Sequence, residues 1–124
     1  YASTTAVDTD FTVKLVDVSG CGCAMKIADG ILRTRYRVIQ ESGKLVSTGD
    51  VCEYKIDLWA TSNVFKRGHK IRIEVSSSNF PRYDRNANTG GDIASSQHFV
   101  SAMQSIYHST EYPSHIKLPF VHRD

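Results

Sequence analysis

The sequence predicts an all-β sandwich, and three observations carry that reading. Apolar and polar residues alternate with a period of two in several stretches, the mark of strands with one buried face. Clusters of turn formers such as SGCGC, ESGKLVSTGD and SSSNFPRYDRNANTGG separate those stretches. Little of the chain reads as helix, and nothing alternates strand with helix in the manner of a parallel sheet.

The elements follow in order. DTDFTVKLVDV is the first predicted strand, with Phe11, Val13 and Leu15 inward and Thr12 and Lys14 outward. SGCGCAMKIADG is a turn region. GILRTRYRVI is a second strand that places Leu32, Thr34, Tyr36 and Val38 on one face and Arg33, Arg35 and Arg37 on the other. After the polar connection ESGKLVSTGD, VCEYKIDLWA sets Tyr54, Ile56 and Leu58 against Lys55, Asp57 and Trp59. ATSNVFKRG is a turn ending in Gly68, a residue suited to positive φ. In HKIRIEVS, Ile71, Ile73 and Val75 face one way and Lys70, Arg72, Glu74 and Ser76 the other. A long Asn- and Gly-rich loop follows, in which Pro81 ends the ladder. DIASSQHFVSAMQ holds a helical turn before SAMQSIYHS extends as a strand. SHIKLPFV is the last strand, with Pro119 at an edge or bulge.

Composition narrows the functional classes. At 124 residues, 40% hydrophobic and 10% aromatic, the chain is expected to form one domain over 1–124. A net charge of +2 from 15 basic and 13 acidic residues provides no single-sign field, which argues against nucleic acid as partner. No apolar run approaches the roughly 20 residues that span a bilayer, so no membrane partner is expected. The start, YASTTAVDTD, has neither the basic region nor the apolar core of a secretory signal. An odd number of cysteines, 3, does not make a secreted disulfide framework, and a reducing cytoplasm is the expected location.

Candidate sites were weighed against plainer roles. The SSSNFPRYDRNANTGG loop is the foremost, because long loops without secondary structure are usually functional. Asn79, Arg82, Tyr83, Asp84, Arg85 and Asn86 are its candidate residues for meeting a ligand or another domain. Arg33, Arg35 and Arg37 resemble a phosphate or carboxylate reader. The plainer reading is a basic stripe paired with acids of a neighbouring strand, such as Glu53 or Asp57. Asp8 and Asp10 lack the longer series of oxygen ligands that calcium requires. The histidines His69, His98, His108, His115 and His122 are not at metal-ligand spacing, and His69 and His115 are expected to hydrogen-bond loop backbone. Cys21 and Cys23, even with Cys52, make an incomplete zinc set, so an accidental pair open to oxidation is the default. No cofactor and no metal are expected.

LWATSNVF, then GHKIRIEVSSSNFP, then RYDRNANTGG resemble the C-terminal jelly-roll domain of the cocaine esterase and Xaa-Pro dipeptidyl-peptidase hydrolases. The similarity runs from DTDFTVKLVDV through DGILRTRYR to YPSHIKLPFV and is strongest to the cocaine esterase branch. One departure stands out: related sequences usually have a proline-aspartate-glycine turn where this chain has Ser19-Gly20-Cys21-Gly22-Cys23.

The resemblance implies a galactose-binding-domain-like jelly roll, incomplete at its N-terminal side because the family's domain has further strands before DTDF. It implies a serine hydrolase whose nucleophile sits in a G-x-S-x-G elbow. No G-x-S-x-G occurs in this sequence, and the family's triad lies upstream of the matching segment, so no catalytic residue carries over. The expected function is that of a non-catalytic domain that packs against the α/β-hydrolase domain of a parent polypeptide, or its homologue, and helps shape its pocket. A missing cover would expose a strand edge, for which a homodimer is the expected consequence. The alternative is a free-standing sandwich that binds a carbohydrate or a protein.

Overall fold

The computed structural model describes residues 1–38 and 43–121. Its elements are β1 (Ala2–Thr4), β2 (Asp10–Val18), β3 (Ala24–Arg33), a 3₁₀ turn at Thr34–Tyr36, β4 (Lys70–Ser76) and β5 (Gln104–Ile106). They make two antiparallel sheets, β1-β5 and β3-β2-β4, and the all-β expectation holds.

β2 is central, paired with β3 along one edge and β4 along the other. Phe11 and Leu15 are buried, as predicted from the period, and Val13 is half-buried. Thr12, expected outward, is buried too, and its hydroxyl donates to the Ser76 carbonyl at 3.2 Å. Both faces of β2 are therefore covered at this end.

Three expected strands differ. The second begins earlier, at Ala24, so residues assigned to the SGCGCAMKIADG turn join the ladder. It ends at Arg33, where the Thr34 N–H bonds the Thr9 carbonyl at 2.9 Å and the Thr34 hydroxyl donates to Asp8 at 2.8 Å. That capture turns the chain into the 3₁₀ segment, so Arg33, Arg35 and Arg37 do not share a strand face; Ile39 lies outside the described residues. VCEYKIDLWA forms only a bridge between Cys52 and Ala2. Its alternation nevertheless survives: Tyr54, Ile56 and Leu58 are half-buried while Lys55, Asp57 and Trp59 are exposed. SHIKLPFV joins no ladder. The helical turn expected near Ile93 is a non-helical turn in which Asp92 accepts from Ser95 Oγ at 2.6 Å and Ala94 N–H at 3.4 Å.

The 54–58 segment crosses one face of the sheet. Tyr54 packs on Phe11 with ring centroids 4.7 Å apart and the rings tilted at 45°. A side chain at Gly30 would collide with the Asp57 backbone carbonyl, so glycine is what permits this close approach. On the same face, β4 departs from expectation. Ile73 pairs with Leu15 and Val75 with Val13, yet Ile71, Ile73 and Val75 are 44%, 37% and 44% exposed against 3% for Leu15. Among the described residues β4 is an edge, beyond the reach of that cover.

Candidate functional site

The loop after β4 is built on carboxylates of β2, of β3 and of the segment just before β2. Asp8 precedes β2 and is fully buried; its carboxylate accepts from Arg35 Nε at 2.9 Å, Arg35 Nη2 at 2.6 Å, Thr34 Oγ1 at 2.8 Å and Asn86 Nδ2 at 2.9 Å. Asp10 accepts from Asn86 Nδ2 at 2.8 Å and Arg33 Nε at 3.3 Å. Asn86 thus bridges two buried acids, and its own carbonyl oxygen accepts from the Asn88 N–H at 2.9 Å. Asp29, on β3, accepts from Asn79 Nδ2 at 3.0 Å, Arg82 Nε at 2.8 Å and Lys26 Nζ at 3.4 Å.

These contacts account for the residues singled out in the sequence. Asn79 and Asn86 point inward as anchors. Arg82 holds Asp29 and lies 5.4 Å from the Tyr83 ring centre. The Asp84 carbonyl accepts from Arg33 Nη2 at 3.3 Å. Arg85 lies over the Phe80 and Phe99 rings at 5.5 and 5.0 Å. What stays open is a shallow concavity of about 510 Å³ between Leu32, Arg33 and Tyr36 on one side and Arg82, Tyr83 and Asp84 on the other.

Burial and pairing shape the two buried acids differently. Burial alone would raise the Asp8 pKa, but hydrogen bonds from Arg35, Asn86 and Thr34 outweigh it and the net shift is downward. At Asp10 burial dominates over Asn86 and Arg33, and the net shift is upward. The arginines therefore pair with Asp8 and Asp10, not with Glu53 or Asp57. Arg37 instead donates to the Thr34 and Lys44 carbonyls at 3.0 and 2.9 Å. Guanidinium and amide groups meet the Asp8 and Asp10 carboxylates.

The histidines divide. His115 Nδ1 lies 2.9 Å from the Pro113 carbonyl, a backbone partner as expected. His69 Nδ1 meets a carboxylate instead, Asp17 Oδ1 at 2.8 Å. His98 is in irregular chain, His108 bridges to Pro113, and His122 lies outside the described residues. Among the described residues no group of three or more His, Cys, Asp or Glu side chains is placed to hold a metal ion.

Asp29 was missed as an anchor, and so was the pairing of D-x-D with R-x-R. That pairing has a sequence signal. An antiparallel register placing Asp10 opposite Arg33 carries Asp8 towards Arg35, so equal spacing of opposite charges marks the partners.

The fold has counterparts among known proteins. Residues 1–117 match the family described as the X-Pro dipeptidyl-peptidase C-terminal non-catalytic domain. Cocaine esterase of Rhodococcus sp. (strain MB1 Bresler) is 51% identical over 125 residues, covering 99% of this chain and 22% of that protein. The crystal structure of an aminopeptidase from a marine sediment Thaumarchaeota archaeon superposes with a TM-score of 0.84 at 34% identity, over 90% of this chain and 20% of that one. The chain thus spans about a fifth of the length of each. With the matched family extending across nearly all of the all-β structure, and the resemblance read from its motifs confirmed, the chain belongs to the X-Pro dipeptidyl-peptidase C-terminal non-catalytic domain family.

Proposed function

We propose that this chain is the non-catalytic C-terminal β-sandwich of a serine hydrolase, packing against the α/β-hydrolase domain of the same polypeptide and helping to wall its pocket. One observation carries this reading: β4 presents Ile71, Ile73 and Val75 to solvent on the face where Leu15 is buried. An apolar face of this kind marks an interface. Trp59 is a further exposed apolar side chain, 79% exposed, at φ 65° with a 2.8 Å bond from its N–H to Asp57. That this chain covers 22% of a relative supports a domain of the same polypeptide as the occupant.

The test uses Ile73→Glu/Val75→Glu. In the isolated chain the double variant should fold with stability close to that of the parent. In the full-length polypeptide it should lower the melting temperature and weaken ester or peptide hydrolysis. Unchanged melting and activity there would remove β4 from the interface. Tyr83→Ala, at the open concavity, should raise KM in the full-length enzyme if that loop helps wall the pocket. The isolated chain should show no inhibitor-sensitive turnover of an aryl ester, because it has no nucleophile elbow.

The free edge of β4 favours a second association, a two-fold dimer formed by edge pairing or strand exchange. Among the described residues β4 pairs with β2 alone. Sedimentation at micromolar concentration should show a dimer, and a concentration-independent monomer of 13.8 kDa would exclude it. The free thiols Cys21, Cys23 and Cys52 support residence in a reducing cytoplasm.

A further inference from the structure

We propose that Cys21 and Cys23 form a dithiol site in the β2–β3 turn that exchanges with small-molecule disulfides and closes reversibly to a Cys21–Cys23 disulfide. The reason is geometric. Residues 19–23 join the strands, with Gly20 to Gly22 as a three-residue loop between Ser19 and Cys23. It is closed by the Ser19 N–H on the Cys23 carbonyl and the Gly22 N–H on the Ser19 carbonyl, each at 2.9 Å. Gly22, at φ 87°, supplies the left-handed residue that a hairpin loop of this length needs. Residues two apart on a strand sit roughly 6.6 Å apart along the chain, but this curled backbone brings the two sulfurs to 3.1 Å. That is about 1 Å beyond a covalent S–S bond, a gap that a small side-chain rotation closes. Both thiols are exposed, and no atom lies within 4 Å of a Cβ placed at Gly20 or Gly22, so the turn is open to a reagent.

The surroundings favour Cys21 as the attacking sulfur. Ser19 Oγ lies 3.0 Å from its sulfur. Hydrogen bonding with Ser19 first, and with Cys23 second, brings its pKa down to about 7, so a large share is thiolate at neutral pH. Charged groups at this end of the sheet include Lys70, opposite Val18, the Asp17–His69 pair, Lys66 and Arg67 in the turn before His69, and Lys26, which pairs with Asp29. Cys52 is elsewhere, bridged to Ala2.

The chemistry balances. Cys21 thiolate attacks one sulfur of a disulfide RSSR, whose S–S bond breaks; RS⁻ leaves and takes a proton from solvent. Cys23 then loses its proton to solvent and attacks the Cys21 sulfur of the mixed disulfide, releasing the second RS⁻, which is protonated in turn. The protein dithiol is oxidised by two electrons and RSSR is reduced to two RSH. An exposed bond closing so short a loop belongs with labile disulfides, so it should reopen when thiol is in excess.

The test equilibrates the protein in glutathione buffers of rising disulfide-to-thiol ratio, quenches with acid, alkylates with N-ethylmaleimide and digests with trypsin. Cleavage after Lys14 and Lys26 puts both thiols in LVDVSGCGCAMK and leaves Cys52 in another peptide. This peptide should lose both alkylation sites together and carry no glutathione, at ratios that leave Cys52 alkylated, and excess thiol should restore both. Cys23→Ser should trap glutathione on Cys21. Ser19→Ala should move the pH midpoint of Cys21 alkylation upward. Persistent double alkylation, glutathione retained on either cysteine of the parent, or a disulfide to Cys52 or another chain would each overturn the proposal. An unmoved midpoint in Ser19→Ala would remove the hydroxyl from it.

Discussion

Loop 77–91 and turn 19–23 lie at opposite ends of β2, and they differ in what their polar side chains are free to do. The loop is long and rich in Asn and Arg, yet Asn79, Arg82 and Asn86 end on Asp29, Asp8 and Asp10. The turn is short, and among the described residues its two thiols bond Ser19 and each other. A loop's length and polarity therefore do not measure its available chemistry. What matters is whether the fold has already bound its polar groups.

The largest way to break this comparison is to remove the carboxylate that organises the loop. Asp8→Ala leaves Arg35, Thr34 and Asn86 facing a buried gap, and a broken buried pair costs about 3–5 kcal/mol. Urea unfolding should show that loss, and a change below about 1 kcal/mol would mean the loop is not held this way. The pH profile sharpens the test. Asp8 has a folded pKa below its ordinary value of 3.8, so its stabilisation is present above that value and fades as pH falls through the folded one. Asp10 is raised, so its ionisation costs stability as pH climbs from the ordinary value through the folded one. Asp8→Asn should flatten the acid side of the profile, and Asp10→Asn should remove the opposing slope.

Gly30→Ala comes next. Its Cβ would meet the Asp57 backbone carbonyl, which cannot rotate aside, so overpacking of about 1–3 kcal/mol is expected. Gly20→Ala is the control, with nothing within 4 Å of its Cβ position. Equal unfolding midpoints for the two would show that the 54–58 segment is not packed on the sheet.

Gly30 also shows what the sequence could and could not tell. Period-two alternation correctly placed Phe11 and Leu15 inward and set Tyr54, Ile56 and Leu58 against Trp59, because facing depends only on local spacing. It could not say that the 51–60 stretch covers the sheet without joining a ladder, since hydrogen-bond partners are chosen by distant segments. The same limit hid the exposure of Ile71, Ile73 and Val75: alternation marks an apolar face but not what covers it. At the candidate site, the loop residues were legible as a cluster. The inward turn of Asn79 and Asn86 was not, because Asp29 and Asp8 come from far along the chain.

Gly68 was read from sequence as a positive-φ position, and it stands at φ 84° just before β4, at the same end of the sheet as turn 19–23. Nothing lies within 4 Å of its Cβ position, so a substitution there costs backbone strain alone. Gly68→Val should lose about 1–3 kcal/mol, and Arg67→Ala should stay within about half a kcal/mol of neutral. Matching melting temperatures would mean this end tolerates strain that the loop end would not.

The smallest expected effect falls on the thiols. Cys21→Ser and Cys23→Ser remove groups that are exposed and bonded only within their own turn. Solvent replaces what each substitution removes, and serine keeps a hydroxyl able to bond the same neighbours. Under reducing conditions each variant should therefore unfold within about half a kcal/mol of the parent. Asn86→Ala provides the contrast, since it leaves Asp8 and Asp10 short of a shared donor in a buried setting, a loss of about 1–3 kcal/mol. A costly serine and a harmless alanine would invert the comparison: the turn would then be a structural staple, and the loop would hold the free chemistry.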